Sequence, residues 1–159
     1  MNEQTIAILG GVIGAVTGIA GMILGIMSYL HNRIDAVNAY FDYDRNPDFI
    51  AGRRAVFNLE DGRIIQSSDS NDMGITIVLN AFQHWGVLVK KHQLPFWVFT
   101  KTPSGITVVR TYEKLKPTIE ARRKNNSLYA KQYKYLYERI KKSRYYRKWL
   151  TEQQDYPIK

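Results

Sequence analysis

Apolar side chains open this chain almost without interruption. From Gln4 to Asn32 no residue carries a formal charge, and Ile, Leu, Val and Met recur at nearly every second position. Thr5 to Leu30 is 26 residues, roughly 39 Å as α-helix against a hydrocarbon core of about 30 Å. The pattern predicts one N-terminal transmembrane helix over 1–32, with a short outer tail. A cleaved signal peptide is the competing reading, and it fits less well. Met1 to Thr5 holds no basic residue, and Tyr29-Leu30-His31-Asn32 offers no small-x-small cleavage site.

Small residues within this stretch keep a fixed rhythm. Ala7, Gly11, Gly14, Gly18, Gly21, Gly25 and Ser28 are spaced 4, 3, 4, 3, 4, 3. A seven-residue repeat keeps one seam facing a partner in a left-handed supercoil. Glycine on such a seam lets two backbones approach closely, which drives helix association in lipid. The seam therefore predicts a homo-oligomer. A rival register, Gly10, Gly14 and Gly18 at four-residue spacing, suits a right-handed crossing instead. Tight packing of small residues argues mildly against a wide pore.

Beyond Asn32 the apolar positions thin to helical spacing. Ile34, Val37 and Phe41 continue the first helix, and Asn46-Pro47 breaks it and starts the next. Phe49, Val56, Phe57 and Leu59 form an apolar side that Asp61-Gly62 ends, and 63–71 reads as the longest loop. Asp72 to His92 is the clearest helix, with Ile75, Val78, Leu79, Phe82, Trp85 and Val89 inward and Lys90-Lys91-His92 at its C-terminal dipole. Phe96 to Arg110 reads either as a hairpin by β-propensity or as a helix running through Ile106, Val109, Tyr112 and Leu115 to Pro117. Ser127 to Thr151 reads as one long helix capped by Ser127, with Tyr129, Tyr133, Leu136 and Ile140 inward. The domain plan is thus a membrane helix over 1–32, a basic helical domain over 33–151 and a polar, loose tail over 152–159.

Charge fixes the expected orientation. Of 159 residues, 23 are Lys or Arg and 14 are Asp or Glu, for a formal net charge of +9. Every Lys and Arg lies at or beyond Arg33. The positive-inside rule then places the N-terminus outside and the domain in the cytosol. The chain has no Cys, which excludes disulfides, thiolate metal sites and a Cys nucleophile.

The run Leu79-Asn80-Ala81-Phe82-Gln83-His84-Trp85 to Lys90-Lys91, followed by Arg110 to Arg122, resembles a bacterial domain-of-unknown-function family. Its members are small proteins with one N-terminal membrane helix and a helical cytosolic domain. The resemblance covers about 53–140 and implies an all-α fold, with helix rather than hairpin over 96–110. It carries over no catalytic residue. It also implies an association with mobile elements and phage-defence genes, by analogy alone.

Tests for particular chemistries are mostly negative. Asp42, Asp44 and Asn46 imitate the opening of a calcium loop, but Pro47 stands where Gly is needed and Arg53 where Glu is needed. His31, His84 and His92 are too separated for a metal site, and there is neither a phosphate-binding Gly-rich loop nor a G-x-S-x-G elbow. The expectation is a non-enzymatic protein without metal or cofactor.

The basic C-terminal region holds the remaining lead. Between Glu113 and Leu150, 13 Lys or Arg stand against three Glu, interleaved with Tyr and Trp. Arg122, Arg123, Lys124, Lys141, Lys142, Arg144, Arg147 and Lys148 are the candidate contacts for a polyanion. Three readings stay open: a solvated helix face, contact with the anionic inner leaflet, or a nucleotide or nucleic-acid ligand, with 122–124 on its phosphates. The sequence thus favours a membrane-anchored, self-associating interaction or scaffold protein whose protein partner is unspecified. The runner-up is a membrane-perturbing effector, for example in phage defence, whose domain senses a ligand and whose helix bundle alters permeability.

Overall fold

The computed structural model describes the backbone of residues 3–66 and 72–155 and the side chains of 17–66 and 72–152. The fold is all-α. Its helices are α1 (Glu3–Asp44), α2 (Pro47–Phe57), α3 (Asp72–Lys90), α4 (Trp97–Thr100), α5 (Ser104–Arg123), α6 (Lys131–Lys141) and α7 (Arg144–Asp155), with no strand among the described residues. The chain divides into two units, Met1–Ala36 and Val37–Lys159, and α1 runs through the boundary.

Local chemistry sets the α1–α2 break. Asn46 is extended (φ −61°, ψ 128°) and its Oδ1 accepts from the N–H groups of Asp48 (2.9 Å) and Phe49 (3.3 Å), with Pro47 in the first turn. Gly62, at φ +82°, turns the chain after α2. Of the expected apolar side of α2, Phe49, Val56 and Leu59 are buried, whereas Phe57 is 40% exposed. Most of the expected loop, 67–71, lies outside the described residues. Its start is pinned where the Ile65 N–H donates to Thr118 Oγ1 of α5 at 3.0 Å.

α3 is the centre of the larger unit. Ile75, Val78, Leu79, Phe82, Trp85 and Val89 are all buried, the stripe its periodicity predicts. The helix stops at Lys90 rather than His92, because His92 adopts a left-handed conformation (φ 59°) and the N–H groups of Gln93 and Leu94 turn back onto the Leu88 carbonyl at 2.9 and 3.2 Å. α2 packs on one side of α3 and α6 on another, with α5 against both α2 and α6. The Phe82 ring meets Phe49 at 5.7 Å, Trp85 at 5.2 Å and Tyr133 of α6 at 4.8 Å, and Tyr40 from the end of α1 lies 4.5 Å from Trp85. Such ring pairs add roughly 0.5–1.5 kcal/mol each to the burial of their area. The Tyr133 phenol donates to the Val108 carbonyl at 3.1 Å. Burial, reinforced by Tyr112, raises its pKa well above the usual value, so it stays a neutral donor.

Two expectations need correction. The helix through Ile106, Val109, Tyr112 and Leu115 does not end at Pro117 but continues to Arg123. An interior Pro costs ~3 kcal/mol, yet Leu115 on one side and Thr118 and Ile119 on the other are fully buried, and this packing carries the helix across. The second concerns 127–151, which is not one helix. Residues 127–130 form a turn, α6 begins at Lys131, and the chain breaks again before Arg144. Ser127 is exposed and caps nothing in α6, and Tyr129 is half-buried in the turn. The cap comes from α3, where Gln83 Oε1 accepts from the N–H groups of Gln132 (2.9 Å) and Tyr133 (3.0 Å). Ser143 is the local cap that matters. Its Oγ donates to the Ile140 carbonyl (2.6 Å), closing α6, and accepts from the Tyr146 N–H (3.2 Å), opening α7. Glu152 to Asp155, expected as loose tail, form the last turn of α7, while 156–159 lie outside the described residues.

Glycine makes the α3–α6 contact close. A Cβ at Gly86 would overlap the Gln132 carbonyl, so the two backbones touch there. Gly86→Ala is therefore expected to lower stability by roughly 1–3 kcal/mol, and Gln83→Ala by roughly 1–2 kcal/mol through two lost cap bonds. Urea denaturation of the full chain reads both, and an unchanged midpoint for Gly86→Ala would contradict the close approach.

Candidate functional site

The smaller unit offers an uncovered apolar helix. Ile19, Met22, Ile23, Leu24, Ile26, Met27, Tyr29, Leu30 and Ile34 are all exposed, Met22 at 69%. At 3.6 residues per turn, Gly18, Gly21, Gly25 and Ser28 share a sector of about 80° and the bulky residues fill the rest. A Cβ added at Gly18, Gly21 or Gly25 would meet nothing within 4 Å, so the described half of the seam faces open space. Ala7, Gly11 and Gly14 lie outside the residues whose side chains are described, as does the whole of 5–16 in the expected span. Among the described residues, no helix is long and apolar enough to cross a membrane.

The larger unit divides its basic residues between two tasks. Arg122 Nη2 donates to Asp72 Oδ1 at 2.5 Å and Nη1 to the Tyr129 hydroxyl at 2.9 Å, with the guanidinium 5.7 Å from that ring. Burial alone would lower its pKa, but the bonds to Asp72 and Tyr129 outweigh burial and raise it. Arg123 donates to the carbonyls of Tyr129 (2.8 Å) and Ala130 (3.1 Å). Both arginines thus hold the 124–130 turn onto α5, a structural role that the Arg-Arg-Lys run did not announce. Lys124 beside them is exposed. Lys141 lies 3.1 Å from the Tyr137 hydroxyl and 3.2 Å from Glu113. The bond to Tyr137 raises its pKa, outweighing the opposing effect of burial with further help from Glu113.

The other cations share one face. Arg144, Arg147 and Lys148 fall at i, i+3 and i+4 on the exposed side of α7, and Lys142 is exposed just before it. The opposite side is anchored. The Tyr145 hydroxyl donates to the Thr102 carbonyl at 3.2 Å, Tyr146 is buried, and the Trp149 ring lies 5.0 Å from Arg110. Lys148 pairs loosely with Glu152 at 3.6 Å on the surface, a contact of little energetic weight. Of the eight expected polyanion contacts, four therefore form one exposed basic face. Lys124 stands apart, Lys141 is paired, and Arg122 and Arg123 are engaged in the turn.

A second basic cluster was not legible in the sequence. Lys90, Arg123, Lys131 and Lys134 line a groove of about 560 Å³ between α3, α5 and α6. A smaller cleft of about 410 Å³ holds Phe57, Asp61, Arg110, Glu113 and Lys114. Its charges balance, Asp61 and Glu113 against Arg110 and Lys114, with Lys114 Nζ on Asp61 at 2.5 Å. Among the described residues no group of three His, Asp or Glu is placed to hold a metal ion. His84 and His92 are both exposed. Compared with the profiles of known families, with curated proteins and with solved structures, the chain matches none.

The two arginines provide a test of their role. Asp72 and Arg122 side chains are each 23% exposed, so Arg122→Ala is expected to cost about 1–3 kcal/mol by leaving Asp72 unpaired. It should also speed hydrogen exchange across 125–130. Arg147→Ala should change stability by less than about 0.5 kcal/mol. Equal and small effects of the two substitutions, read by denaturation and exchange, would contradict the division.

Proposed function

We propose that this chain is a membrane-anchored, self-associating interaction protein with its basic helical domain on the cytosolic side of a bacterial inner membrane. The observation that carries the reading is the exposure of every large apolar side chain from Ile19 to Leu30. Together with the uncharged run over 5–30, it makes a helix whose surface suits lipid on most sides. The glycine sector supplies the face for a second copy.

The exposed face of α7 suits the other half of the reading. Lys142, Arg144, Arg147 and Lys148 present positive charge to solvent, as a surface facing anionic headgroups does. Each well-placed Lys or Arg near such a surface gains on the order of 1 kcal/mol, and a tether raises the effective concentration of the face at the leaflet. The domain then works by contact with lipid, with copies of itself and with a protein partner rather than by bond-making chemistry.

The absence of Cys makes topology directly measurable. Single Glu3→Cys and Asn125→Cys variants are to be expressed in bacteria and treated with a membrane-impermeant maleimide. The protein should stay with the membranes through an alkaline wash. Glu3→Cys should label on intact spheroplasts, and Asn125→Cys only after lysis. Release of the protein by the wash, or equal labelling of both positions on intact spheroplasts, would contradict the proposal.

A further inference from the structure

We infer that the groove between α3, α5 and α6 is a binding site for a small phosphoryl-bearing ligand of several negative charges. It is separate from the α7 face and does not depend on the membrane reading. Three helices bring cations to one hollow: Lys90 from the end of α3, Arg123 from the end of α5, and Lys131 and Lys134 from the first turns of α6. Against these four positive charges the groove holds one carboxylate, Glu138, itself 3.7 Å from Lys134. The excess is matched to a di- or triphosphate group.

The cations differ in kind, and usefully. Arg123 is fixed before any ligand arrives, because Nε and Nη2 donate to the carbonyls of Tyr129 and Ala130. The three lysines are exposed, and an ammonium on a flexible stem can follow phosphate oxygens as a point charge. Gln132 and Ser127 add neutral polar groups to the lining, and Tyr135 adds an aromatic wall. A volume of about 560 Å³ falls within the range of small-molecule sites. Cations gathered round a hollow, rather than strung along one helix face, suit a compact ligand better than a nucleic-acid backbone.

The backbone gives an independent reason to look here. Ala130 sits in the left-handed region (φ 51°) although it carries a Cβ, a conformation that L-residues other than Gly, Asn and Asp seldom adopt. The turn is over-determined. Arg123 holds the Ala130 carbonyl from one side, and Gln83 takes the next free N–H groups from the other. Strain held in this way concentrates at binding sites. Its effect here is to start α6 so that Lys131 and Lys134 share the groove with Lys90 and Arg123.

Isothermal titration calorimetry of the full chain in non-ionic detergent tests the site, with three probes: sodium triphosphate, ATP and a soluble short-chain cardiolipin, whose headgroup carries two phosphates. Saturable binding of at least one probe, weakened by added salt, is expected. Lys90→Ala/Lys131→Ala/Lys134→Ala should lower the affinity roughly tenfold or more. The charge-matched control Arg45→Ala/Lys101→Ala/Lys116→Ala should leave it within about twofold. Triphosphate or ATP binding above the lipid assigns a free polyphosphate, and the reverse order assigns a headgroup. Either order supports the site. No saturation by any probe up to millimolar concentration, or equal losses in the two triple variants, would overturn it. Circular dichroism of both variants checks that each keeps its helices.

Discussion

The larger unit depends on one contact, the touch of α3 and α6 at Gly86 and Gln83. Gly86 admits the Gln132 backbone, and Gln83 supplies the hydrogen-bond acceptor that α6 lacks at its own start. A helix that begins packed against a neighbour must satisfy its first N–H groups. Here a neighbouring helix does so, and the place where α6 starts is thereby fixed by tertiary structure. Much follows from that point. Tyr133 lands between Phe82 and Tyr112, its phenol reaches the Val108 carbonyl, and three turns later Ser143 redirects the chain into α7. The basic groove and the basic face of α7 are both products of where α6 begins and ends.

α1 carries a different constraint. Its bulky residues from Ile19 to Leu30 are exposed, and each such side chain gains roughly 1.5–3 kcal/mol on leaving water. Summed over the stretch, that rivals the ~5–15 kcal/mol by which a whole domain is stable. Under the proposed function, lipid or a second copy covers this surface. The glycine sector and the bulky sector divide the helix surface, so both kinds of cover fit at once. The proposed reading is accordingly a tethered domain that presents charge to an anionic surface and pairs through its tether.

Legibility followed the range of the interactions. Asn46-Pro47 at the start of α2 and the buried stripe of α3 are local patterns, and they read correctly because cap and periodicity lie within a few residues. The helix over 104–123 was half legible. The choice of helix over hairpin needed a resemblance, and Pro117 looked like a stop because the packing of Thr118 and Ile119 is invisible in one dimension. The C-terminal region misled most. Ser127 looked like a cap because Gln83, the acceptor that α6 uses, is nearly fifty positions away, and the local cap at Ser143 was hidden inside what read as one unbroken helix. The structural bonds of Arg122 and Arg123 were hidden for the same reason, their acceptors being set by a turn and by Asp72. Lys90 could not be joined to Lys131 and Lys134 by any spacing rule. The α7 face, in contrast, was legible as a run of Lys and Arg because its residues are neighbours in both sequence and space.

The most direct measurement of the central claim is the mass of the detergent-solubilised chain by light scattering, wild type beside Gly18→Leu/Gly25→Leu. A Cβ at either glycine meets nothing within 4 Å, so the double substitution leaves the single chain intact and blocks only the approach of another helix. The account predicts a discrete oligomer for the wild type that falls to monomer in the variant. A monomer in both would contradict it, leaving α1 without a partner of its own kind.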